Sequence, residues 1–234
     1  MKFLRLLPAL LLAISLAGHA QADIASVKKA VAEKFPEAGN IEVTKTTFGL
    51  YEVYAGGRLF YTDENVTYFF LGNILETKNM TNITQQRLQK LTAIKFDSLP
   101  LDFAIKTVKG NGKRKVAVFS DPDCPYCKRL EKDLVNVTDV TIYTFLYPIA
   151  SLHPDAARKS KAIWCAPNKQ KAWDDIMLRN IVPADKNCDT PIEEIAAVGQ
   201  KYKMNGTPTL VFADGRVVPG AIPASDVETY LNAQ

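Results

Sequence analysis

Cys124 and Cys127, separated by Pro125 and Tyr126, are the residues of this 234-residue chain whose types and spacing best suit chemistry. Two thiols at this spacing can close a small ring, so the pair can give up or take two electrons as dithiol or disulfide. An apolar run of β type, Val116 to Phe119, precedes them, followed by a polar turn from Ser120 to Asp123. A helical pattern starts at the cysteines, with Leu130 and Leu134 on one face. A thiolate in the first turn of a helix meets unpaired backbone N–H groups and the positive end of the helix dipole, which stabilise it. Cys124 is therefore the expected nucleophile. Cys127, one turn deeper, is the thiol expected to close the ring and expel whatever Cys124 had captured. Pro125 suits the first helical position, where its missing N–H is not needed. Asp121 and Asp123 work against a thiolate and Lys128 and Arg129 favour one.

A Cys-x-x-Cys can also be half of a zinc site, but a structural zinc needs four ligands. The remaining candidates, Cys165, Cys188 and His153, form no second close pair. Neither a metal nor a cofactor is expected. Strand, Cys-x-x-Cys and helix together resemble a thioredoxin-like redox site.

The elements that must position this site begin after a leader. Lys2 and Arg5 open the chain, an apolar run follows from Leu6 to Ala17, and Ala20-Gln21-Ala22 reads as a cleavage site. Residues 1–22 are predicted to be a secretory signal peptide cut after Ala22, because a bilayer span needs about 20 apolar residues. Lys2 and Arg5 lie in the leader, so the formal charge falls from +4 to +2 on its removal, too little to argue for a nucleic-acid partner. Export would place four cysteines where disulfides persist. Cys165 and Cys188, left over from the redox motif, are then expected to pair as a structural disulfide.

Ile24, Val27, Val31 and Phe35 predict a short amphipathic helix stopped by Pro36 and Gly39. Between residues 41 and 78 the pattern turns to short β runs, IEVTKTT, LYEVYA, RLFYT, VTYFFLG and ILETK, with a hairpin signal at Gly56-Gly57. Phe48, Tyr51, Tyr54, Phe60, Tyr61, Tyr68, Phe69 and Phe70 crowd this segment. So small a sheet is marginal alone, which favours pairing with a second copy over ordinary exposed tyrosines. Thr81 to Lys95 predicts a linker helix, with Asn82 as its cap. From Phe96 onward strands alternate with helices. Strands are expected at Ala104–Val108, Val116–Phe119, Val140–Leu146, Thr209–Phe212 and Arg216–Val218. Helical stretches are expected at Pro154–Cys165, Lys169–Arg179, Pro191–Tyr202 and Ala224–Leu231.

Four stretches carry a closer resemblance: FSDPDCPYCKRLE, Lys161 to Ala166 (KAIWCA), Asn205 to Thr209 (NGTPT) and Val218-Pro219-Gly220. With them the chain resembles the bacterial periplasmic protein disulfide isomerases of the DsbC type. The resemblance implies a thioredoxin-like α/β domain with a helical insertion (98–234), behind a small α+β, cystatin-like dimerisation domain (23–80) and a linker helix (81–97). It implies a periplasmic homodimer joined through the N-terminal domains, whose cleft takes misoxidised or unfolded proteins. An inner-membrane thiol reductase of the DsbD type would be the electron donor. Thioredoxin-like proteins place a cis-proline beside the active cysteines, and Thr207-Pro208 occupies that position as the substrate-docking edge. The family also implies a structural role for Cys165 and Cys188. One departure is Pro125-Tyr126 where the better-known isomerases carry Gly-Tyr. Pro-Tyr occurs in the related DsbG type, which keeps open a chaperone or a reductase of oxidised single cysteines.

Overall fold

The computed structural model describes residues 23–233, so the expected leader, residues 1–22, lies outside the described residues. The chain forms two compact units that divide between Gly72 and Asn73.

The first unit lays one helix on a small antiparallel sheet. Helix α1, Ile24–Lys34, starts where the Asp23 carboxylate accepts a hydrogen bond from Ser26 N at 2.7 Å. Val27 and Val31, one turn apart, are its buried stripe. Strands β1 (Ile41–Lys45), β2 (Tyr51–Ala55), β3 (Arg58–Thr62) and β4 (Phe69–Phe70) follow as a meander in that order. Gly56 and Gly57 make the two-residue β2–β3 turn with φ of 57° and 79°, values that glycine reaches without a Cβ clash. The core gathers Val27, Val31, Ile41, Tyr51, Val53, Phe60 and Val66. Of the crowded aromatics, Tyr51, Phe60 and Tyr61 are buried within the unit, whereas Phe48, Tyr68 and Phe70 are exposed.

The second unit opens with a two-stranded ribbon, β5 (Leu75–Glu76) and β6 (Thr81–Asn82), running into α2 (Ile83–Leu91). The ILETK run thus leaves the first sheet. It pairs with the start of the helix segment, where Ile83 N donates to Ile74 O at 3.0 Å. Asn82 Oδ1 accepts from Gln85 N at 2.9 Å, the expected cap. The helix is shorter than its pattern predicts because Ile94 N bonds Gly215 O at 2.9 Å and the Ile94 and Phe96 side chains enter the core of this unit. Tertiary burial outweighs continued helix there.

The remaining elements are β7 (Ile105–Lys109), β8 (Arg114–Ser120), α3 (Pro125–Leu134), β9 (Val140–Leu146), α4 (Ala156–Trp164), α5 (Lys169–Arg179), α6 (Ile192–Lys201), β10 (Thr209–Phe212), β11 (Val217–Pro219) and α7 (Ala224–Asn232). They build a sheet in the order β11-β10-β8-β9-β7. Only β8 and β9 are parallel, as the crossover through α3 requires, and the other neighbours are antiparallel. Alternation along β8 splits the core in two. Val116 and Val118 pack with Leu130 and Leu134 of α3 and with Val227 and Leu231 of α7. Ala117 and Phe119 face the other way, toward Phe96 and toward Ile195 of α6. Helices α4 and α5 are the inserted layer: Ile163, Trp173, Ile176 and Met177 form a third cluster that includes Cys124 and Cys127.

Candidate active site

Strand β8 ends at Ser120 and α3 begins at Pro125, so the turn between them fixes where the thiols sit. Cys124 is the N-terminal cap residue of α3, with extended backbone at φ −70° and ψ 121°. Both cysteines are free thiols. Cys124 keeps 4% of its surface and Cys127 none, so an incoming sulfur meets Cys124 first. Next to them Tyr126 is 63% exposed, an apolar ring at the mouth of the site.

The loop before β10 supplies the opposite wall. The Thr207–Pro208 peptide bond is cis, and Thr207 O accepts a hydrogen bond from Cys124 Sγ at 3.3 Å. Cys127 Sγ accepts from Asp121 N at 3.4 Å. Burial pushes the Cys127 thiol up to about 12, against the bond from the Asp121 backbone and the nearby Ser120 and Thr207 side chains, which favour the thiolate. The two thiols therefore differ in access, and the deeper one is held protonated at neutral pH.

Asp121, Asp123 and Lys128, three of the four charges flagged by the sequence, are engaged in specific bonds. Asp121 is fully buried. Its carboxylate accepts from Asp123 N at 2.8 Å and Ile149 N at 2.8 Å, and lies 3.0 Å from His153 Nδ1. His153, considered above as a zinc ligand, is thus placed on the site as a partner of Asp121. The Asp123 carboxylate accepts from Lys159 Nζ at 2.6 Å and holds that ammonium above the usual lysine range. Lys128 turns away from the thiols and donates to Asn180 Oδ1 at 2.8 Å.

One turn beyond Cys127, Glu131 accepts from Trp173 Nε1 at 3.0 Å. Burial raises the Glu131 carboxyl to about 7, opposed by that indole bond and by Lys109. Glu131, Lys109, Gln170, Trp173 and Asp174 line a cavity of about 250 Å³. Sequence reasoning did not single out Ser120, Glu131 or Trp173. The spacing of Cys127 and Glu131, four apart on a helix, is the one signal that bears on the site.

Cys165 and Cys188 form a disulfide with S–S 2.00 Å and Cα–Cα 5.7 Å. Cys165 caps the C-terminus of α4 and Cys188 lies in the irregular segment before α6. The bond closes the stretch of chain that contains α5, whose Trp173, Ile176 and Met177 pack around the thiols. Among the described residues, no helix is long and apolar enough to cross a membrane.

Residues 101–234 match the family described as "Thioredoxin-like domain", and residues 18–85 match "Disulfide bond isomerase protein N-terminal domain". The chain is 42% identical over 211 residues to a probable thiol:disulfide interchange protein DsbC of Bordetella parapertussis, covering 90% of this chain and 74% of the relative. It is 28% identical over 220 residues to the thiol:disulfide interchange protein DsbC of Escherichia coli K12, covering 92% of this chain and 90% of the relative. Among solved structures, a disulfide interchange protein from Neisseria gonorrhoeae is 51% identical, with a TM-score of 0.56 over 58% of this chain and 97% of that chain.

Proposed function

The chain belongs to the thiol:disulfide interchange proteins of the DsbC type, and from that membership we propose that it isomerises or reduces incorrect disulfides in exported proteins through a mixed disulfide at Cys124. It is a thiol-disulfide oxidoreductase of thioredoxin-like fold. The observation that carries the residue roles is the asymmetry of the pair: Cys124 sits at the helix N-terminus against Thr207 O, while Cys127 is fully buried.

The Cys124 thiolate attacks one sulfur of a substrate disulfide, the other substrate sulfur leaves as a thiolate, and a mixed disulfide remains. A substrate thiol then attacks it and leaves the substrate isomerised. Otherwise Cys127 attacks, so that Cys124 and Cys127 end oxidised and the substrate reduced. Thr207 and Pro208 form the edge against which the substrate chain lies. A thiol reductase of the inner membrane, of the DsbD type, returns the pair to the dithiol. The periplasm is the compartment in which such substrates and such a donor meet.

Residues 23 to about 80 serve as a dimerisation domain, with 81–97 as the linker helix. The match to an isomerase N-terminal domain and the exposed Tyr68, Phe70 and Leu71 at the β4 end of the sheet support this reading. The relatives compared above bear the interchange name, and no observation favours the chaperone alternative raised by Pro125. Refolding of a scrambled multi-disulfide protein tests the activity: wild type restores native pairing, and Cys124→Ser falls to background. Native pairing by Cys124→Ser at the wild-type rate would sink Cys124 as the nucleophile. A monomeric mass at micromolar concentration would remove the dimer.

A further inference from the structure

Ser120 is the last residue of β8 and is fully buried. Its carbonyl is satisfied by Tyr147 N at 2.8 Å, but its hydroxyl oxygen makes no hydrogen bond among the described residues. A buried hydroxyl without a partner carries a desolvation cost, and such exceptions require an explanation. Alanine would fill the same space without that cost. Two consecutive residues bear on the Cys127 sulfur. Asp121 N already donates to it at 3.4 Å, and the Ser120 side chain lies near enough to favour its charged form. A neutral thiol is a weak acceptor, so the hydroxyl gains little from it. A thiolate accepts strongly, and a hydrogen bond to an ion is about twice as strong as a neutral one.

We propose that the Ser120 hydroxyl is a donor held ready for the Cys127 thiolate, completing with Asp121 N a two-donor pocket in the step that releases substrate. This rests on the interchange reading above, with Cys124 joined to the substrate. In that step the Cys127 thiol gives up its proton, which ends in bulk water once the captured substrate has opened the site, and the hydroxyl turns its O–H toward the thiolate. The thiolate attacks Cys124 Sγ, the Cys124–Cys127 bond forms, and the Cys124–substrate bond breaks. The substrate sulfur leaves with the electron pair and takes up a proton. Over capture and release together, the cysteine pair is oxidised by two electrons and the substrate disulfide is reduced by two.

The test is single-turnover reduction of a one-disulfide protein by the full dithiol enzyme, with formation and release of the mixed disulfide timed separately between about pH 6 and 9. Ser120→Ala should form the mixed disulfide at the wild-type rate and release it roughly tenfold to a hundredfold more slowly, with the pH profile of release moved to higher pH. Its thermal midpoint should hold or rise, because a hydroxyl without a partner has been removed. Ser120→Thr, which keeps the hydroxyl, should restore release. Wild-type release by Ser120→Ala at every pH overturns the proposal, as does equal slowing of formation and release. Slow release by a folded Ser120→Thr also overturns it. If the added methyl unfolds that variant, the pH profile of Ser120→Ala decides alone. A wild type that forms no mixed disulfide through Cys124 overturns the interchange reading itself and this proposal with it.

Discussion

Two cysteine pairs lie within one domain, and the first cysteine of each caps a helix, at opposite ends. Cys124 caps the N-terminus of α3, where unpaired N–H groups and the dipole stabilise negative charge. Cys165 caps the C-terminus of α4, where unpaired carbonyls oppose it. The first pair spans one helical turn and is free; the second is separated by 23 positions and bonded. The same side chain is thus set to react in one place and to tie chain together in the other. The two also depend on each other, since the bonded pair encloses α5, and α5 packs against the free pair. Helix polarity and burial set how a cysteine behaves, more than the presence of a second cysteine does.

The sharpest way to break this comparison is covalent trapping. Cys127→Ser should accumulate a mixed disulfide through Cys124 with a misbonded protein, seen as an added mass on non-reducing analysis. The matching Cys188→Ser should trap nothing through Cys165. Adducts of equal yield at the two sites would erase the distinction.

Next in size is stability. Replacing Cys165 and Cys188 together by Ala should lower unfolding free energy by about 3 kcal/mol, the chain-entropy value for a loop of this length. Urea unfolding measures it, and refolding activity at a permissive temperature should persist. Loss of activity without loss of stability would make the second pair chemical as well.

The smallest effect concerns the surroundings of the free pair. Glu131 has its carboxyl raised from 4.5 to about 7 by burial, so the folded state holds a proton that the unfolded state has lost between these values. Stability should therefore fall as pH rises from about 4.5 to 7 and level off above, by on the order of 1 kcal/mol once solvent screening of the partly exposed Glu131 side chain is allowed for. Glu131→Gln should flatten that slope in urea titrations at each pH. An unchanged slope would assign it to other groups.

Much of the second unit was legible because its elements repeat with their own periods. Val140–Leu146, Lys169–Arg179 and Thr209–Phe212 have the bounds that alternation and helical spacing predict. The segment after α2 was not, because Ile94 finds its partner at Gly215, far along the chain. The ILETK run forms a strand, as its pattern predicts, but its partner was not legible: a short β run is compatible with either sheet, and its pairing with Thr81–Asn82 decides between them. At the site, Cys-x-x-Cys between strand and helix was readable locally. The bond from His153 to Asp121 and the unpartnered Ser120 hydroxyl have no local signature.

Sequence alone determined the reactive motif, its place at the start of a helix and the apolar run that buries β8 on both faces. These follow from neighbours a few residues apart, whose spacing is written in the chain. Only the tertiary structure decided which thiol is sealed from solvent, which groups the site's carboxylates bond, and that Thr207 O lies against Cys124 Sγ. Burial and hydrogen-bond partners come from residues distant in the chain, and an ionisable group takes its chemistry from them.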